Sequence, residues 1–437
     1  MLIIDWLNEN IVWGTPMLLL FLSTGIYASV KLKFKQFNLL QILKKTLFFK
    51  QVGKVKSNNL SPFQTLTSTL AVTLGTGNIV AIGTAIAMGG AGAIFWMWVS
   101  AFLGMSTTYL ENYYGMKTRK RNTDGSYFGG AFFYIEKALN KGAAVFFAVC
   151  CLLTSLGMGN MTQMNAMATS LNSSFGTPAW VCGLVAAALI GITIFGGAKF
   201  LGELTARVIP VISIVYILGC VAVIALNFKD IPMTFQKIFE EAFNLSSIGG
   251  GLLGSAMLRG MNWGFRRGIF SNEAGLGSTV IINTMAEPVC ESEEKSADIQ
   301  CNWAMLCVFI DTIIMCTLTA LVILLAGVHG EGAADGTGFA ALAFKSAFGE
   351  HAHAFVSISV AIFAIATTSG WAVFGAASLK YLFPHSKITL YLLIYIACSF
   401  FGTLIELNTV WGIADLTNGL MAIPNLLAVL IYRKQRR

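Results

Sequence analysis

At 437 residues, with 56% of them hydrophobic and only 11% charged, and with a mean hydropathy of +0.70, the chain falls outside the composition of soluble globular proteins. Its formal charge of +8 is carried by short basic clusters beside apolar stretches, which fits orientation in a membrane and argues against nucleic acid as a partner. A bilayer offers no water to backbone amides, so the apolar stretches must be helices or a closed barrel; they lack the alternation of barrel strands, and an all-α bundle is expected.

The N-terminus carries Asp5 and Glu9 where a cleaved signal would be basic, and the first lysine is Lys31, so the first apolar stretch is expected to stay in the membrane. Apolar segments recur near 11–31, 62–88, 91–115, 142–172, 178–196, 207–227, 248–284, 303–328, 352–379, 388–405 and 409–432, which makes about eleven spans. The first connection holds Lys31, Lys33, Lys35, Lys44, Lys45, Lys50, Lys54 and Lys56, placing it in the cytoplasm and the N-terminus outside. The same alternation puts Lys117, Arg119, Lys120 and Arg121, then Lys199, then Lys380 and Lys387, and at the C-terminus Arg433, Lys434, Arg436 and Arg437 on the cytoplasmic side. The opposite loops are acidic or balanced, with Lys229, Asp230, Lys237, Glu240 and Glu241 in one and Glu331, Asp335, Lys345 and Glu350 in the other. One loop departs from the pattern, because 287–298, EPVCESEEKSAD, is acidic yet falls on the cytoplasmic side. Residues 131–140 read as a short amphipathic helix at the membrane surface. No linker composition divides the chain, so 1–437 reads as a single integral membrane domain.

Two spans carry breaks. In PFQTLTSTLAVTLGTGNIVAIGTAIAM, Gly75, Thr76, Gly77 and Asn78 weaken the middle of an otherwise apolar helix. Freed N–H groups there suit a carboxylate and freed carbonyls a cation, as in transporters built on discontinuous helices. The same residues also suit a glycine-lined helix crossing, and the segment alone does not choose between the two. In RGMNWGFRRGIFSNEAGLGS, residues 259–278, Arg266, Arg267, Ser271, Asn272 and Glu273 interrupt a segment that should cross, and intramembrane charges normally pair or face a cavity. An early and a midway break point to an inverted-repeat carrier. Isolated polar residues, among them Glu111, Asn160, Gln163, Asp311, Thr367, Thr368, Asp415 and Asn418, each read more simply as interhelical glue. Nine cysteines without CxxC spacing read as small apolar residues, and the four histidines fall near span ends.

With these motifs the chain resembles the alanine or glycine:cation symporter family from about residue 6 to residue 430, through VWGTPMLLLFLSTGIY, LSPFQTLTSTLAVTLGTGNIVAIGTAIAMGG, DGSYFGGAFFYIEKAL, WGFRRGIFSNEAGLGS and FIDTIIMCTLTALVIL. The resemblance implies eleven transmembrane helices, ten of them in a leucine-transporter-like arrangement of two inverted five-helix repeats with broken first and sixth core helices. The repeats would span about 60–227 and 245–433, after an extra N-terminal helix at about 11–31. By position, Thr76, Gly77, Asn78, Gln163, Trp263, Phe270, Ser271 and Asn272 become the expected substrate contacts, and Gly75, Thr76, Thr367 and Thr368 the expected cation contacts. Where the family's eighth core helix carries a Ser/Thr pair followed by GWSYYGE, this chain reads Ala366, Thr367, Thr368, Ser369, Gly370, Trp371, Ala372, Val373, Phe374, Gly375 and Ala376, so one hydroxyl and one acid are missing.

The resulting expectation is a secondary active transporter of the plasma (inner) membrane, importing a small neutral amino acid, alanine or glycine, with Na+ by alternating access. An H+-coupled carrier, or one for another amino acid such as glutamine or serine, is the alternative within the same fold. A channel fits less well, for want of a repeated filter sequence, and no nucleophile, base or metal cluster at motif spacing speaks for an enzyme. No enzymatic cofactor is implied; the partners are the amino acid, the coupling ion and membrane lipid, and oligomeric state is not readable.

Overall fold

The computed structural model describes residues 2–47, 59–243, 251–290, 292–327, 336–405 and 407–432. The basic residues Lys50, Lys54, Lys56, Arg433, Lys434, Arg436 and Arg437, the acids Glu331 and Asp335, and His329 lie outside them.

Helix α1 (Thr15–Lys31) starts with Pro16 in its first turn and is followed by the amphipathic α2 (Leu39–Leu47). The next crossing is in two pieces, α3 (Pro62–Thr73) and α4 (Val80–Gly89). Its start is fixed by a capping box, in which Ser61 Oγ accepts from Gln64 N at 3.1 Å and Gln64 Oε1 accepts from Ser61 N at 2.9 Å. Then follow α5 (Gly92–Thr118), the short α6 (Ala131–Ala138), α7 (Lys141–Phe175), α8 (Ala179–Phe195) and α9 (Gly197–Leu226). A connecting helix α10 (Ile231–Phe243) leads to α11 (Gly251–Asn272), after which the backbone unwinds and re-forms one turn at Val280–Asn283. The chain ends with α12 (Glu293–Leu325), α13 (Gly336–Phe348), α14 (Ala352–Leu382), α15 (Ile388–Gly402) and α16 (Leu407–Ile431).

Among the described residues seven helices are long and apolar enough to cross a membrane, and α8 and α15 are shorter apolar ones. With the two interrupted crossings they make the eleven the sequence predicts, in a leucine-transporter-like fold. The interrupted crossings lie side by side and run in opposite directions: Leu60, before α3, pairs with Met285 and Glu287, beyond the turn that follows α11, while Gly89 at the end of α4 meets Gly260 and Trp263 on α11. Helix α5 packs along α11 and α12, and α14 lies against α3 and α7. The approach of α5 needs glycine, because a Cβ on Gly115 would stand 2.2 Å from Val280 Cγ1.

The basic clusters gather at one end. Lys31 reaches the Tyr114 hydroxyl at 2.7 Å, Arg119 Nη1 donates to the carbonyls of Thr284 (3.0 Å) and Ala286 (2.7 Å), and Lys380 sits over the Phe128 ring. The acidic loop has a local reason there. Ser292 caps α12, Glu293 and Glu294 occupy its first turn where the helix dipole favours negative charge, and Asp298 pairs with Lys35 at 2.6 Å. Helix α6 is buried deeper than a helix lying on the surface: Ala131 through Ile135 are all buried, while Glu136 and Lys137 in its last turn stay exposed.

Candidate substrate and cation site

The first break is held open by its own side chains. After α3 the chain extends through Gly75 (φ −115°, ψ −155°) and makes a tight turn at Thr76–Asn78 before α4 begins. Asn78 Oδ1 accepts from Gly75 N at 3.0 Å, taking the place of a helical carbonyl. Gln163 on α7 does the same for the next residue, accepting from Thr76 N at 3.1 Å and Thr76 Oγ1 at 2.9 Å. Gln163 follows a π-helical turn, Gly157–Met161, of the kind that widens helices at functional sites. A side chain at Gly77 would be tight, since a Cβ there would lie 3.3 Å from both the Phe270 ring and Ser271 Cα on α11.

The second break lies at the C-terminal end of the segment that the sequence marks, 259–278. Helix α11 runs unbroken through Arg266 and Arg267 to Asn272; the unwinding starts at Glu273 (φ +57°) and continues through Gly275 and Gly277, at φ +87° and +73°. Phe270, Ser271 and Asn272 therefore form the last turn before the break, facing the first break. Trp263 does not join them. It stands two turns away, about 12 Å along the axis, packed on Gly89 and beneath the guanidiniums of Arg266 and Arg267.

Both breaks converge on a carboxylate that sequence reasoning passed over as helix glue. Asp311 Oδ1 accepts from Asn78 Nδ2 at 2.7 Å, and its Oδ2 accepts from Ser271 Oγ and Thr312 Oγ1, each at 2.8 Å. Asn272 Nδ2 reaches Thr312 Oγ1 at 3.0 Å and completes the network. Asp311 is fully buried, and among the described residues no Lys or Arg pairs with it. Asp311 and Thr312 lie in a second π-helical stretch, Phe309–Cys316.

On the other side of Gly75, Thr367 Oγ1 on α14 lies 2.9 Å from the Ala71 carbonyl and 3.5 Å from that of Leu74, the carbonyls that α3 leaves free as it ends. Three oxygens thus meet at one point, a hard ligand set suited to an alkali cation. Thr368 is turned to a different neighbour, its carbonyl accepting from the Tyr395 hydroxyl at 2.7 Å while its own hydroxyl is buried without a partner. Ala366 adds no oxygen. Gly75 separates the two sides: a Cβ there would be 2.7 Å from Thr367 Oγ1 and 3.0 Å from Gln163 Oε1.

Residues 2–436, which include both breaks and every residue of this network, match the model of a family described as the sodium:alanine symporter family. The chain belongs to that family. Its members are transporters and not enzymes. The symporter is 38% identical over 430 residues to a sodium/alanine symporter of Methanococcus maripaludis, covering 97% of this chain and 93% of the relative. It is 33% identical to a probable sodium/glutamine symporter of Bacillus subtilis (98% and 87% covered) and 31% identical to a sodium/proton-dependent alanine carrier of a Bacillus species (88% of each). Among solved structures it is similar in fold to a Na+-coupled sialic acid symporter, with a TM-score of 0.58 at 12% identity over 90% of this chain and 82% of the other. A manganese transporter of Eremococcus coleocola gives 0.56 at 11% identity over 86% and 78%.

A cavity of about 320 Å³ lies at the symporter's basic end, lined among others by Lys199, Met285, Ser369, Ala376 and Lys380. It reaches Ser369, two residues beyond Thr367 on α14, and the small side chain of Ala376 forms part of its wall. On the other side of the breaks Phe270 stacks on Trp411 with ring centroids 4.9 Å apart, next to the buried ion pair of Arg266 and Asp415.

Proposed function

We propose that this symporter is a secondary active carrier that imports a small neutral amino acid, alanine or glycine, together with Na+ by alternating access. The observation that carries the reading is the meeting of the two breaks, where Gly77 touches the last turn of α11 and freed backbone groups are flanked by polar side chains on three other helices. In this reading the α-carboxylate takes the amide of Gly77 and displaces the resident acceptors from those of Thr76 and Asn78, and Gln163, so released, supplies polar contacts with Ser271 and Asn272. Phe270 limits the volume left for a side chain, while Trp263 acts from a distance through the arginines. The cation is held by Thr367 with the carbonyls at the end of α3, beside Gly75 and Thr76; Thr368 contributes less. The names of relatives that carry alanine support the substrate class, with discrimination of only about 1–3 kcal/mol per methylene in such a pocket.

In this reading the basic end faces the cytoplasm of a plasma membrane, with the N-terminus outside and the C-terminus inside. The cavity at that end is the path by which cation and substrate leave, and the stacked rings opposite close the outer path. The chain is one domain of two inverted repeats, about 60–227 and 245–433, each opening with an interrupted crossing. H+ coupling is the second reading, favoured by one observation: Asp311 is bonded only by neutral donors, and a buried carboxylate without a basic partner must take up either a metal cation or a proton.

Reconstituted vesicles under an imposed Na+ or H+ gradient, offered a panel of labelled amino acids, test the proposal. Accumulation of alanine or glycine under the Na+ gradient alone is the expected result. If neither gradient drives any amino acid inward, the coupled-carrier reading is wrong.

A further inference from the structure

The last two turns of α11 carry more positive charge than their surroundings neutralise. Arg266 donates directly to Asp415 Oδ2, whereas Asp415 Oδ1 is 4.0 Å from Arg267 Nη1, beyond hydrogen-bonding range. Two guanidiniums thus share one carboxylate. Arg267, whose side chain is only 7% exposed, has neither Nε nor Nη1 hydrogen-bonded, and Asp415 Oδ1 is likewise without a partner. The rings of Trp263, Phe270 and Trp411 surround the guanidinium, with centroids 5.0, 5.7 and 5.0 Å from its carbon. Ring contacts of this kind engage the face of a guanidinium and leave the N–H groups along its edge unspent. One turn beyond Asp415 on the same face of α16, Asn418 is fully buried with both amide atoms unpartnered. Buried polar groups are normally satisfied, and so many orphans around a surplus cation describe a place for an anion.

We propose that Arg267 forms an outer carboxylate-binding station for the transported amino acid, between the outside and the two breaks. The inference rests on the reading of the chain as an amino-acid carrier. A guanidinium matches a carboxylate with two parallel N–H bonds. Arg267 precedes Ser271 by four residues on α11, about 6 Å along the axis, so a carboxylate leaving it is one short step from the amides of Thr76–Asn78. Phe270 is the shared wall, its ring beside the Arg267 guanidinium on one side and against Gly77 on the other. Asp415 is the resident competitor, close enough to balance Arg267 while the outer path is closed and too far to saturate it.

The test uses the full-length protein in vesicles of known orientation, with labelled alanine as the probe. Arg267→Gln is expected to raise the KM for alanine added at the outer face tenfold or more, with the maximal rate within about twofold. Arg267→Lys, which keeps the charge and loses the fork, should fall between. The KM for alanine added at the basic end should be unchanged in both variants, which also shows that they are folded. An unchanged outer KM in both variants, with wild type accumulating alanine, overturns the station. Loss of binding from both faces in both variants assigns Arg267 to the scaffold and overturns it as well. If wild type needs chloride and Arg267→Gln removes that need, the station belongs to an inorganic anion and the carboxylate assignment falls. Failure of the wild type to accumulate any amino acid overturns the carrier reading itself, a distinct outcome.

Discussion

Two buried polar regions sit one helical turn apart on α11, and they solve the problem of polarity in a membrane in opposite ways. Around the breaks nearly every group is matched: Gly75 N to Asn78, Thr76 to Gln163, and Asp311 to three neutral donors. Around Arg267 the groups are charged, and several have no partner at all. A matched network fixes a geometry, which a selective site needs; an unmatched charge is ready to trade partners, which a path needs.

Six substitutions at five positions probe that contrast. The largest effect is expected at Asp311, where Ala strands the donors of Asn78, Ser271 and Thr312 and should cost about 2–4 kcal/mol of stability together with all coupled uptake. Asp311→Asn keeps the shape and removes the charge; a folded variant that still accumulates substrate against a gradient would exclude Asp311 from coupling. Next is Gly75→Ala, whose Cβ would press on Thr367 and Gln163 together. Overpacking of this kind costs about 1–3 kcal/mol, and both the Na+ and the alanine half-saturation constants should rise roughly tenfold or more in vesicle uptake. Thr367→Val should raise the Na+ constant about tenfold, a loss of one charge-assisted ligand, and leave alanine affinity at saturating Na+ unchanged. Thr368→Val should move the Na+ constant less than about twofold, because its hydroxyl reaches none of the Thr367 partners; equal effects at the two positions would redraw the cation site. The smallest effect is expected for Trp411→Phe, which keeps the ring against Phe270 and removes an indole N–H that has no partner. Melting of the purified protein should shift by less than about 2 °C, corresponding to a fraction of a kcal/mol.

The eleven crossings, the gathering of basic residues at one end and the first break were legible because each is written in a contiguous stretch of sequence. The second break was legible as a segment, 259–278, but not in its extent within it. Arg266 and Arg267 look like the interruption, but long side chains can turn toward Asp415 and aromatic rings without disturbing the helix, and only the left-handed backbone at Glu273, Gly275 and Gly277 ends it. Asp311 was not legible as the meeting point, since its partners Asn78 and Ser271 are 233 and 40 residues away and nothing local distinguishes it from a lone polar residue in an apolar helix. The two π-helical turns that aim Gln163 and Asp311 inward are equally silent, because they differ from α-helix by one residue per turn and not by composition.

Gly75 gives the machine a thermodynamic property. A Cβ on Gly75 would crowd Thr367 Oγ1 and Gln163 Oε1 together, so only a bare Cα lets both groups sit beside the same peptide. In the proposed reading, whatever factor an ion at Thr367 contributes to amino-acid affinity is returned, by reciprocity, in the affinity for the ion when the amino acid is bound. A residue defined by having no side chain is thus the point through which two ligands that never touch it through a side chain register each other's presence.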